Sequence, residues 1–137
     1  MNLGVDIMSK VTKCSIIIFD DFDNILLCQK GKGKNPKNLV WTTFGNPLTG
    51  RQTTEKCITK TIDKDLKCNI FNLQPFKEYI NESIDESHLV YSGNIKEQMT
   101  YNKDIVRTKW FSIGQLENED ILAEHKEFIQ EFLASRQ

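Results

Sequence analysis

The segment from Trp41 to Ile70 constrains this chain more than any other. Leu39 to Phe44 reads as a strand, and Gly45, Asn46 and Pro47 close it with a turn. Thr53 or Thr54 then caps a helix that runs to about Lys67. Its apolar positions Ile58, Ile62 and Leu66 recur at every fourth residue, with Cys57 beside them, so one face is built for a core. A strand feeding an amphipathic helix through a tight turn demands a sheet for that helix to cover.

The rest of the chain supplies such a sheet. Val11 to Phe19 is rich in β-branched residues, and Ile25 to Lys30 follows an Asp20 to Asn24 turn cluster, which together predict a hairpin. Gly31 to Asn38 is a loop carrying Lys32, Lys34 and Lys37. Strands are expected over Asn69 to Tyr79, Ser87 to Ile95 and Ile105 to Ser112, with a short turn or helix through Leu116. Glu119 to Ser135 closes the chain as a helix with Ile121, Leu122, Phe128, Ile129, Phe132 and Leu133 as its apolar set. Strands, helix, strands, helix is the order of an α/β fold, a mixed sheet with helices on both faces.

Length and charge narrow the class. The 137 residues suit one domain, with residues 1–10 as a short N-terminal extension. A net charge of -1 gives no global field for nucleic acid or an anionic membrane. The longest apolar run, Cys14 to Phe19, is too short to span a bilayer, and the first residues lack the pattern of a signal peptide. Cys14, Cys28, Cys57 and Cys68 show no Cys-x-x-Cys spacing, and with His88 and His125 they form no zinc pattern. Reduced, buried thiols in a cytoplasmic protein are the expectation. Trp41 and Trp110 sit in strand patterns and read as core, and the two histidines read as structural.

The strand, turn and helix of residues 39–70 resemble the Nudix (MutT-like) hydrolases. Laid on that family's box without gaps, its first glycine falls at Asn46, its first glutamate at Gln52 and its Arg-Glu pair at Lys60 and Thr61. The later Glu-Glu pair falls at Lys64 and Asp65, the second glycine at Lys67, and the apolar positions at Ile62 and Cys68. The hairpin ending in Lys30, the aromatic Trp41 and the Arg107 to Leu116 strand and turn extend the resemblance over residues 11–135. It implies an α/β/α sandwich with a mixed β-sheet. The turn from Gly45 to Gly50 is also faintly like that of isopentenyl-diphosphate isomerases, although Asn46 stands at the metal-binding histidine. Glu86 would match that branch's catalytic glutamate.

The resemblance implies hydrolysis of a diphosphate linkage in a nucleoside-diphosphate-linked or related small phosphate-containing molecule, assisted by Mg²⁺ or Mn²⁺. Mg²⁺ needs hard oxygen ligands. The family's ligand glutamates fall at Thr61, Lys64 and Asp65, so Asp65 is the one carboxylate left at those positions, with the Gly45 carbonyl and Glu86 as helpers. Glu97 and Asp104 are further carboxylates late in the chain. Lys30, Lys60, Lys64 and Gly45 are the candidate phosphate contacts. Lys56, Lys60, Lys64 and Lys67 line one helix side, which also describes an ordinary solvated face. The second reading is a catalytically inactive Nudix fold that binds a nucleotide or a protein, with no metal. Members of this family often pair, so a homodimer is part of what the resemblance implies.

Overall fold

The computed structural model describes residues 10–31, 35 and 39–136. Lys32, Gly33, Lys34 and Lys37 of the basic loop, and the expected extension before Lys10, lie outside the described residues. The elements are β1 (Lys10–Phe19), β2 (Ile25–Lys30), β3 (Phe44–Pro47), α1 (Thr54–Leu66), β4 (Phe71–Asn81), β5 (Glu86–Asn94), β6 (Ile105–Phe111), α2 (Ile113–Leu116) and α3 (Ala123–Ser135). They form a mixed six-stranded sheet in the order β4-β5-β1-β2-β6, with β3 pairing β1. Strands β1 and β5 run parallel, and the other pairs are antiparallel.

The central strand β1 reads as a nearly unbroken apolar run because both its faces are covered. Cys14, Ile16 and Ile18 point to one side, where they pack with Leu26, Cys28 and Phe44 against Cys57, Ile58, Ile62 and Leu66 of α1. Ile17 points to the other side, where it joins Ile25, Leu27, Val90 and Phe111 against Phe128, Ile129, Phe132 and Leu133 of α3. The expected two-faced covering by helices is present. Each buried Leu, Ile or Phe contributes about 1.5–3 kcal/mol to these two cores. Helix α1 begins where the Thr53 side chain accepts from the Lys56 amide and ends at Lys67, whose φ of 54° is left-handed.

Strands β1 and β2 pair only at Ile18–Leu26 and Phe19–Ile25 and then diverge. Strand β3 fills the gap, with Gly45 opposite Ser15, while Thr42 bridges Cys28. This is one place where glycine is required. A Cβ on Gly45 would stand 2.2 Å from the Cys14 carbonyl oxygen and 2.7 Å from Ser15 Oγ.

Two boundaries differ from expectation for one reason. The third strand spans Phe44–Pro47, not Leu39 to Phe44, and the last helix starts at Ala123, not Glu119. The Trp41 amide donates to the Asp120 carbonyl (2.9 Å) and the Leu122 amide to the Trp41 carbonyl (3.0 Å). Each segment thus satisfies the other's backbone instead of extending its own element. Leu122 ends up exposed at the helix N-cap, outside the apolar set. Trp41 is buried edge-on against Phe111, whereas Trp110 is half-buried at the margin of the α1 core. All four cysteines are free and buried. Burial and the neighbouring Cys57 push the Cys14 thiol up to about 12, so it stays protonated. Among the described residues no helix is long and apolar enough to cross a membrane.

Candidate functional site

On the α1 side of the sheet, Asp65 is buried near the end of the helix at 4% exposure. The Asn102 amide donates to its carbonyl and the Thr100 amide to that of Leu66, both at 2.9 Å, so the 100–102 loop closes the helix end and holds Asp65 in place. Its carboxylate meets the ammonium of Lys30, with Nζ 2.5 Å from Oδ2. Oδ2 has no directed hydrogen bond from any described residue, so charge is what holds this contact. Lys30 reaches Asp65 because it follows Leu26 and Cys28 on the α1 face of β2.

Thr61 is buried one turn earlier and is also occupied. Its hydroxyl donates to the Cys57 carbonyl (2.8 Å) and accepts from Asn46 Nδ2 (2.8 Å). The position where the box has a glutamate and the position where it has a glycine are thereby tied together as a neutral pair. Lys56, Lys60, Lys64 and Lys67 are exposed, as a solvated face would be. Lys60 lines a cavity of about 320 Å³ with Asp63 and Asn69, away from Lys30.

The candidates divide between the two faces. Lys30 and Gly45 share a cavity of about 200 Å³ with Thr42, Asn46, Ser15 and His88. Glu86 lies at the start of β5 and lines a separate cavity of about 480 Å³ with Lys13, His88 and Glu124, on the α3 side. It therefore does not join Asp65. Glu97 accepts from the Asn69 amide at 2.8 Å, and the Asp104 carbonyl from the Gly31 amide at 3.0 Å.

Sequence reasoning missed a second cluster, on the α3 face. Ser15 Oγ lies 2.6 Å from His88 Nε2, and His88 Nδ1 lies 2.9 Å from Glu124 Oε1. Hydrogen bonding to His88 and the nearby Lys13 hold the Glu124 carboxyl below its ordinary range despite partial burial. Ionised, it can only accept, so Nδ1 carries the proton and Nε2 accepts from the Ser15 hydroxyl. Burial also depresses the His88 pKa, which favours that neutral ring. Beside it, His125 Nδ1 accepts from the Thr43 amide at 3.1 Å. Burial, with help from His88, lowers the His125 pKa to about 4. The available signal was a serine inside an apolar central strand and a histidine in a buried strand position, two residues that adjacent parallel strands bring together.

The donor set of the α1 face does not fit Mg²⁺ or Mn²⁺. A hard divalent cation takes several oxygen ligands with negative charge among them. Asp65 is already neutralised by a fixed ammonium, Thr61 is spent on two neutral hydrogen bonds, and Lys64 is cationic. Among the described residues no three His, Cys, Asp or Glu side chains converge to hold a metal.

No family model and no curated protein matches this sequence. Solved structures do match it in shape. A Nudix hydrolase from Nitrosomonas europaea superposes with a TM-score of 0.74 at 14% identity, covering 93% of this chain and 92% of its own. The MutT protein of Methanosarcina mazei gives 0.72 at 9% identity, covering 98% and 99%. The Nudix domain of NrtR from Shewanella oneidensis gives 0.74 at 12% identity, covering 93% and 89%. Likeness this complete at such low identity carries the architecture and leaves the chemistry to this chain's own residues: the protein has the Nudix fold.

Proposed function

We propose that this chain uses the Nudix fold to bind a small phosphate-containing molecule and does not carry out metal-assisted diphosphate hydrolysis. The observation that carries this reading is the Lys30–Asp65 pair. An ammonium stands against the one carboxylate left at the box's ligand positions, so the charge a metal would bring is supplied by the protein itself. A ligand phosphate then needs donors rather than a cation bridge. The cavity of about 200 Å³ offers Lys13, Lys30, Thr42, Thr43 and Asn46, ammonium, hydroxyl and amide groups suited to phosphate oxygens. The larger cavity of about 480 Å³ also reaches Lys13 and His88, giving room for the remainder of the ligand.

The structurally similar domain of NrtR was crystallised with ADP-ribose, which makes ADP-ribose and ADP the first probes. Titration calorimetry in EDTA is expected to give saturable binding that Mg²⁺ does not strengthen. Chromatography of the same mixtures with Mg²⁺ or Mn²⁺ is expected to return the probe uncleaved. Metal-dependent cleavage that disappears in Asp65→Asn would sink the reading and restore the hydrolase. Lys30→Gln combined with Thr61→Glu and Lys64→Glu is expected to gain Mn²⁺ affinity by calorimetry, because it removes the resident cation and returns two carboxylates to the box positions.

A further inference from the structure

We propose that Ser15, His88 and Glu124 form an activated serine nucleophile that cleaves small carboxylic esters through an acyl intermediate on Ser15 Oγ. This goes beyond the ligand-binding reading and does not rest on it.

Three residues from three elements meet here in the order that nucleophilic catalysis requires. Ser15 is on β1, His88 on the neighbouring parallel strand β5, and Glu124 in the first turn of α3. The distances of 2.6 and 2.9 Å are those of a nucleophile bonded to its base and of a base bonded to its orienting carboxylate. The tautomer is the productive one, since the acceptor-only Glu124 takes the Nδ1 proton and leaves the Nε2 lone pair on the Ser15 hydroxyl. Ser15 lines the cavity of about 200 Å³, a volume suited to a short acyl group. Gly45 packs directly on Ser15, since a Cβ there would stand 2.7 Å from Ser15 Oγ, and so it fixes the hydroxyl at the edge of the cavity.

The steps balance without a cofactor. Ser15 Oγ attacks the ester carbonyl carbon and its proton passes to His88 Nε2. The tetrahedral carbon then expels the alkoxide, which takes that proton and leaves as the alcohol. Water attacks the acyl-serine carbonyl by the same route, His88 accepting and returning a proton, and the acid leaves with Ser15 restored. Lys13 lines the same cavity and supplies positive charge for the oxyanion. Glu124 is a positioning residue that acts through His88. The charged and titratable groups around the imidazole are Lys13 of β1, Lys30 of β2, Tyr79 of β4, Glu82 of the following turn, Glu86 of β5, and Glu124, His125 and Glu127 of α3.

The probes are diisopropyl fluorophosphate and p-nitrophenyl acetate. Peptide mapping by mass spectrometry is expected to place the adduct on Ser15, with a burst of about one nitrophenolate per chain. Ser15→Ala is expected to abolish both while keeping a cooperative thermal melt. His88→Gln, which can still hydrogen-bond but cannot act as a base, is expected to slow labelling by about 10²–10⁴-fold. Glu124→Gln is expected to slow it less and to move the midpoint of its pH profile downward, since a neutral partner supports the imidazolium less. An unlabelled Ser15 in the folded protein, or labelling unchanged by His88→Gln, would overturn the proposal and leave the chain of hydrogen bonds a structural one.

Discussion

The two faces of the sheet have treated their polar groups in opposite ways. On the α1 face, Lys30 cancels Asp65, and Asn46 and Thr61 hold each other. Asp65 and Thr61 are occupied within the protein, while Lys30 and Asn46 still line the cavity. On the α3 face, Ser15, His88 and Glu124 form a line from a buried hydroxyl to a half-exposed carboxylate, beside an open cavity. One face has its carboxylate cancelled, and the other has a base that can accept a proton. A fold keeps its shape when a site is neutralised in place, because packing depends on volume and burial, while chemistry depends on groups left with something to do.

The largest effect should come from breaking the neutralised face. Lys30→Met removes the ammonium and leaves the Asp65 carboxylate buried without a counter-charge. Urea denaturation is expected to show a loss of about 3 kcal/mol, below the top of the range for buried pairs because the Lys30 side chain is 29% exposed. Lys30→Met with Asp65→Leu should recover most of that loss, since no charge then remains to be buried. A double variant as unstable as the single one would mean that Asp65 is held by something other than its charge, and the contrast between the faces would weaken.

The α3 face should announce itself through pH. Burial holds the His125 pKa near 4, below the ordinary histidine value of 6.5, and it lowers that of His88 as well. The unfolded chain therefore binds more protons than the folded one between these values, and stability rises with pH across that window. The contribution is complete above about pH 6.5 and is lost as pH falls toward 4, on the order of 2 kcal/mol for the half-buried His125. Chemical denaturation from pH 7 to pH 4.5 measures it. In His125→Gln the slope should flatten to what His88 and the carboxylates leave. An unchanged slope would show that His125 does not titrate as its surroundings require.

The sequence made the architecture legible because apolar spacing is a local signal with a global consequence. Ile58, Ile62 and Leu66 could lie on one helix face only if a sheet covered them, and the core contains all three. The limits of the third strand and of the last helix were not legible, since they depend on a backbone exchange between segments far apart in the chain. The box alignment led to Asp65 as a candidate for metal, and the opening hairpin led separately to Lys30 as one for phosphate. That they meet each other was hidden, because residues on β2 and α1 share no periodicity. His88 and His125 read as structural for the same reason: their partners Ser15, Glu124 and Thr43 come from three other stretches of sequence. Carboxylates at fixed helical spacing announce a site in one dimension, and a serine, a histidine and a glutamate on three elements do so only after folding.

The smallest test asks how much the neutral half of the α1 face contributes. Asn46→Ala deletes the Nδ2 bond to Thr61, while the Thr61 hydroxyl keeps its donation to the Cys57 carbonyl. Thr61 loses one acceptor contact and no buried donor is stranded, so the cost should be about 1 kcal/mol by thermal or urea denaturation. Asn46→Asp separates this from electrostatics. A carboxylate at position 46 would accept the Thr61 proton, drawing the hydroxyl away from Cys57, and would add a negative charge to the cavity lined by Lys30. If the face is neutral by balance, the new charge should loosen the Lys30–Asp65 pair, and combining Asn46→Asp with Lys30→Met should cost more than the two effects added. Strict additivity would show that the Thr61 pair and the Asp65 pair are independent, and that this face is balanced by two unconnected contacts.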